Sequence, residues 1–235
     1  MNLLRRVAPQ LAVLGVICLI ASAGYVKQAI VPANAGVTNV KKIIIDAGHG
    51  GFDGGAVAKD GTVEKDINLQ ISLKVSQMLK YSGYEVIMTR DDDTGTEDDE
   101  SATIISRKKS DLSNRLSLMK NNPDAIYVSI HLNKFTTSAA SGAQVFYTKN
   151  YDEARQLAES VQTSITSLIQ PENTRVVKQG TSSTYLLKNA TVPAVIVECG
   201  FLSNHLELER LKTQDYQSQM AFAIAYGIIN FFESN

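Results

Sequence analysis

Two histidines and two glutamates stand where a zinc hydrolase would want them. His49 follows the run Lys42-Ile43-Ile44-Ile45-Asp46-Ala47-Gly48, and His131 follows Ile126-Tyr127-Val128-Ser129-Ile130. Glu198 closes Ala194-Val195-Ile196-Val197, and Glu64 opens a helix after a glycine-rich loop. A catalytic zinc takes three protein ligands, commonly His and carboxylate, and leaves a fourth position to water. His49, Glu64 and His131 would supply that set, at spacings of 15 and 67 residues. Such a metal lowers the pKa of its water and polarises a substrate carbonyl. Glu198 would then be the carboxylate that is not a ligand, taking a proton from the attacking water and passing it to the leaving amine.

Each residue alone has a plainer explanation. A histidine ending a strand is commonly a satisfied structural residue, and an acid at a helix start is favoured by the helix dipole. Two histidines at equivalent places, among only three in the chain, set a metal site beside that plainer account. Glu198 is the strongest single indicator, because an acid ending an apolar strand is unfavourable without a partner or a task.

The surrounding pattern has to bring these residues together. Strands and helices alternate from about Lys41 onward, which predicts an α/β fold: a mainly parallel twisted sheet with helices on both faces. Helices are expected over Glu64–Tyr81, Ser110–Asn121, Tyr151–Ile169 and Gln214–Phe232. In the third, Ala154, Leu157, Val161, Ile165 and Leu168 should face inward. Strands are expected to end at His49, at Thr89, at His131, at Tyr147 and at Glu198. Open parallel sheets place ligands beyond the carboxyl ends of their strands, so His49, His131 and Glu198 would converge on one edge. Asp91–Ser106 holds seven acids between Asp91 and Glu100 without apolar periodicity and reads as a solvated, mobile loop.

The N-terminus reads separately. Arg5 and Arg6 precede a nearly uncharged apolar run from Val7 to Val26, with small-x-small sites at 21–23, near its end, and at 33–35. This is the layout of a secretory signal peptide or, uncleaved, of a membrane anchor. Residues 1–35 are therefore expected to be a signal or anchor plus linker, and residues 36–235 a single domain acting outside the cytoplasm. Without residues 1–35 the chain keeps 20 basic and 24 acidic residues, a net charge of −4, and no basic stripe suggests nucleic acid. Cys18 and Cys199 fall in different parts, so no disulfide is expected in the domain.

Other motifs carry less. The loop Gly48-His49-Gly50-Gly51-Phe52-Asp53 fails the dinucleotide fingerprint, since Asp53 stands at the third glycine position. Its glycines would let backbone approach a ligand or turn tightly. His205 reads as a surface or helix-cap residue, and Cys199 as a small buried hydrophobe.

Four separated motifs now resemble a known family. Ile45-Asp46-Ala47-Gly48-His49-Gly50-Gly51, Glu64 after Gly61-Thr62-Val63, Ser129-Ile130-His131-Leu132-Asn133 and Val197-Glu198-Cys199-Gly200-Phe201-Leu202-Ser203-Asn204 resemble the zinc-dependent N-acetylmuramoyl-L-alanine amidases of the amidase-3 type. Thr89-Arg90 and Asp111 through Arg115 also look like family positions. The resemblance implies Zn²⁺ held by His49, Glu64 and His131, with Glu198 as catalytic acid/base. It implies peptidoglycan as substrate, cut at the amide joining N-acetylmuramic acid to L-alanine. Asn133, Gly50 and Gly51 would line the substrate groove. The short spacing between His131 and Glu198, the lone catalytic domain and the acidic insert look like the CwlD type of spore-forming bacteria. That subgroup strips stem peptides so that muramic-δ-lactam can form in spore cortex, a role in sporulation and germination on the forespore side. A zinc carboxypeptidase and a non-catalytic wall-binding protein are the rival readings. An activating protein partner that orders a weak zinc site is a third, with Asp91–Ser106 as its candidate contact.

Overall fold

The computed structural model describes residues 41–99, 101–181 and 184–235. The expected signal or anchor lies outside the described residues. Among them, no helix is long and apolar enough to cross a membrane.

The strands are β1 (Lys42–Ala47), β2 (Glu85–Met88), β3 (Ala125–Asn133), β4 (Gln144–Tyr147), β5 (Lys178–Gln179) and β6 (Ala194–Phe201). The helices are α1 (Glu64–Tyr81), α2 (Ile104–Asn121), α3 (Asp152–Leu168), α4 (Tyr185–Asn189), α5 (His205–Leu211) and α6 (Gln214–Glu233). The six strands form one sheet in the order β2-β1-β3-β6-β4-β5. The pairs β1–β2, β1–β3 and β3–β6 are parallel, whereas β4 runs antiparallel to β6. The α/β expectation of a mainly parallel sheet holds, and the reversed pair β4–β5 forms one edge.

Alternation along the strands divides the core. Ile43, Ile45, Val128, Ile130, Val195 and Val197 pack under α1, α3 and α6 in a mainly aliphatic layer. Ile44, Tyr127 and Ala194 face the other way, against Leu116 and Met119 of α2 and Leu187 of α4. The same alternation puts Asp46, Ser129, His131 and Glu198 on this second face. Toward the carboxyl ends of β1, β3 and β6 that face therefore changes from apolar to polar. Helices cover both faces, as predicted.

Several boundaries move. Helix α2 begins at Ile104, six residues before the predicted start, with the Thr103 hydroxyl capping the Ser106 N–H. Leu168, expected inside, is 46% exposed, because α3 ends there and its last turn leaves the core. Strands β3 and β6 run past His131 and Glu198 to Asn133 and Phe201, so both residues sit within strands rather than at their tips.

Candidate active site

The site begins with the turn after β1. His49 has φ 61°, the one positive value at a non-glycine position among the described residues. Two buried arginines hold that turn by its carbonyls. Arg90 Nε donates to Ala47 O at 2.9 Å and His49 O at 2.7 Å, and its Nη2 donates to Gly48 O at 3.1 Å. Arg115 Nη2 donates to His49 O at 2.9 Å. Arg115 also pairs with Asp46 and, at 2.8 Å, with Asp111. The fully buried Asp46 carboxylate accepts further bonds from Thr89 Oγ1 at 2.8 Å and Ser129 Oγ at 2.5 Å. Burial opposes its charge, but the Arg115 guanidinium and Ser129 hydroxyl bring its pKa down to about 2.

Glu64 reaches this turn from the first residue of α1. Its Oε1 lies 3.0 Å from His131 Nδ1, and its Oε2 lies 3.3 Å from His49 Nε2. The backbone N–H groups of Leu132 and Ala56 donate to the same carboxylate at 3.0 and 2.8 Å. Burial works against its charge, yet the bonds to His131 and His49 hold it well below the usual carboxylate range. Asn68, one turn along α1, donates to Gly48 O at 3.2 Å and Glu64 Oε1 at 3.3 Å, tying helix to loop. Two glycines make room: a Cβ at Gly48 would overlap the His131 ring, and one at Gly55 would overlap His49 and Glu64.

The donor set fits a metal. One ligand atom from each of His49, Glu64 and His131 lies within 4.8 Å of the others, a group that could hold a metal ion. His49 Nδ1 bonds Asp53 Oδ2 at 2.9 Å, which leaves Nε2 facing Glu64. A carboxylate behind a histidine in this way orients the ring and raises its basicity as a ligand. Burial lowers the His49 pKa, but the bonds to Asp53 and Glu64 outweigh it and push it up to about 9. The cluster thus stabilises a cation at this spot, and a divalent ion would take the place of that proton.

Glu198 is the direct register partner of His131 across β3 and β6. Its Oε2 is enclosed and has no hydrogen-bond partner among the described residues. Burial lifts its pKa to about 7, with His131 drawing it down and Glu64 adding to the rise. Just beyond it the register slips: His131 pairs with Glu198, but Asn133 pairs with Phe201. This extra residue in β6 turns Phe201 to the site face, where it meets Phe135 at 5.0 Å between ring centres. Cys199 stays fully buried in the aliphatic core and His205 begins α5 after its Asn204 cap, both as the sequence suggested.

Asn133 ends β3 as the register partner of Phe201, partly exposed. Gly50 and Gly51, expected to line the groove, sit in the turn that follows His49. Gly50 is buried against Thr94, and Gly51 donates to Asp93 Oδ1 at 3.1 Å and accepts from Lys65 Nζ at 2.8 Å. The acidic segment is largely exposed, as expected of a solvated loop, but several of its residues tie it to the glycine loop and to α2. Thr96 bonds Asp111, and Glu97 pairs with Arg107, whose guanidinium lies 4.2 Å from the Phe52 ring. Sequence reasoning passed over Asp53 and Asn68. Their only signal was a four-residue offset from His49 and from Glu64.

The same architecture occurs in known proteins. The family model described as N-acetylmuramoyl-L-alanine amidase, Amidase_3, matches residues 43–230. The germination-specific N-acetylmuramoyl-L-alanine amidase of Bacillus subtilis is 37% identical over 82% of this chain and 80% of its own. The CwlD amidase of Clostridioides difficile, solved in complex with the GerS lipoprotein, superposes with a TM-score of 0.80 at 41% identity, over 83% of this chain and all of that one. The catalytic domain of CwlV from Bacillus (Paenibacillus) polymyxa gives 0.69 at 31%, over 83% of this chain and all of its own. The chain belongs to the Amidase_3 family of N-acetylmuramoyl-L-alanine amidases, hydrolases of peptidoglycan.

Proposed function

We propose that this chain is a zinc-dependent amidase that cuts the bond between the lactyl group of N-acetylmuramic acid and the L-alanine of the stem peptide. The observation that carries this reading is the His49–Glu64–His131 cluster with Glu198 one strand away on the same face. His49, Glu64 and His131 would hold the ion. Zinc supplies Lewis acidity, which draws electron density from the scissile carbonyl and acidifies water. Glu198, poised near neutrality and free of other bonds, takes the proton of the attacking water and hands it to the departing L-alanine nitrogen. Asn133 lies at the strand end where the substrate would pass.

The relatives and the N-terminal sequence support a setting. A germination-specific relative and a CwlD structure support action on spore cortex, on the route to muramic-δ-lactam. The basic and apolar N-terminal segment supports export, or anchoring on the outer side of a membrane. The GerS lipoprotein in the CwlD complex supports a protein partner for this chain too.

Digestion of purified peptidoglycan tests the reaction. Release of intact stem peptides with a free L-alanine amine is the expected product. Release of a terminal amino acid alone would instead make the chain a carboxypeptidase, and no release would make it a wall-binding protein.

A further inference from the structure

Beyond Glu198 along the sheet stands a guanidinium that forms no ion pair among the described residues. Gln144 on β4 is the register partner of Glu198 on its other side, so the two side chains stand on one face about 5 Å apart. Arg175 Nη1 donates to Gln144 Oε1 at 3.2 Å, and its Nε donates to Ser141 O at 2.6 Å. Its guanidinium carbon lies 4.8 Å from the centre of the Phe201 ring, the side chain that the β6 bulge turns to this face. Three contacts thus fix its orientation, and none is to an anion. Arg107, Arg115 and Arg155 each pair with a carboxylate. Arg175 pairs with none among the described residues. It borders an open cleft of about 840 Å³ that Ser141, Asn173, Glu207 and Arg210 also line and that none of His49, Glu64, His131 and Glu198 lines. The nearby Glu207 feels the Arg175 charge without forming an ion pair with it, and its carboxylate accepts from Gly142 N–H and Phe201 N–H, both at 2.8 Å.

We infer that Arg175 binds the free α-carboxylate of the second stem-peptide residue, a glutamate joined through its side chain. This rests on the amidase reading and names the recognition element for its leaving group. Glu198 must deliver its proton to the L-alanine nitrogen, so the peptide leaves on the Glu198 side of the histidines. The sheet order β1-β3-β6-β4 puts His49, His131, Glu198 and then Gln144 with Arg175 in sequence along that side. From the scissile nitrogen, the α-carboxylate of the second residue is about 7 Å away along the chain. A planar guanidinium held from behind, with Nη2 uncommitted, is suited to a carboxylate.

Steady-state kinetics on two N-acetylmuramoyl tripeptides test this with the zinc-loaded full chain. One carries glutamate with a free α-carboxylate as the second residue, and the other carries the α-amide. Wild-type enzyme should favour the carboxylate substrate about tenfold in kcat/KM, the size expected of a partly exposed charged hydrogen bond. Arg175→Gln should raise KM for that substrate about tenfold, leave kcat in place and leave the amide substrate unaffected, whereas Arg175→Lys should recover part of the preference. Equal wild-type rates on both substrates would overturn the inference, even if the variants fail to fold. So would a loss in Arg175→Gln that is the same for both. An enzyme that cleaves neither substrate would overturn the amidase reading and this subsite with it.

Discussion

His131 and Glu198 are register partners on adjacent parallel strands, with their side chains on the same face of the sheet. That pairing separates holding a metal from moving a proton. Glu198 is near the cluster but has no bond to it, and its Oε2 has no other task. Glu198→Gln keeps the shape and removes the proton carrier. Turnover should fall by about 10²- to 10⁴-fold with zinc content unchanged. Metal analysis beside the rate decides it, since a fully active variant would displace Glu198 from this role.

Gly48 approaches the His131 ring so closely that no side chain fits between them. Gly48→Ala should push the ring aside and weaken zinc binding about 10- to 100-fold, the range seen when groups that orient ligands are lost. Chelator competition reads the affinity and circular dichroism the fold. Unchanged affinity would show that the ring can shift without loss.

Arg115 bridges the buried Asp46, Asp111 and the His49 carbonyl. Arg115→Met leaves Asp46 charged and buried, a loss of about 3–5 kcal/mol in urea unfolding. Adding Asp46→Asn should recover part of it, because the orphaned charge is gone. No recovery would mean that the carbonyl contacts, not the ion pair, dominate.

The same aspartate gives a pH signature. The Asp46 pKa is lowered from 3.8 to about 2 by Arg115 and Ser129 against its burial. A carboxylate more acidic in the folded protein adds stability that is fully present above about pH 4 and lost as pH falls through its folded pKa. In zinc-free protein, the stability gap between wild type and Asp46→Asn should shrink by roughly 2 kcal/mol between pH 4 and pH 2. A constant gap would contradict the assigned shift.

The strand runs and the helical spacing of α1 were legible because burial on both sheet faces demands continuous apolar segments. His49, Glu64, His131 and Glu198 were legible as polar residues interrupting or ending those segments. The supports were not. Arg90 and Arg115 act through backbone carbonyls over 41 and 66 residues of separation, which no local pattern encodes. The β6 bulge, which reorients Phe201, leaves no mark in an apolar run. The anchoring of the acidic segment was not legible, because Lys65 and Arg107, which pair with Asp93 and Glu97, and Asp111, which accepts from Thr96, come from other parts of the chain.

The central claim is that His49, Glu64 and His131 hold one zinc ion that the amidase needs. Metal analysis of the purified full chain, with activity on peptidoglycan in the same samples, tests it beside His49→Ala. One zinc per chain in the wild type, with zinc and activity lost together in the variant, is the predicted result. A variant that keeps its zinc, or a wild type that cleaves peptidoglycan after complete zinc removal, would contradict it.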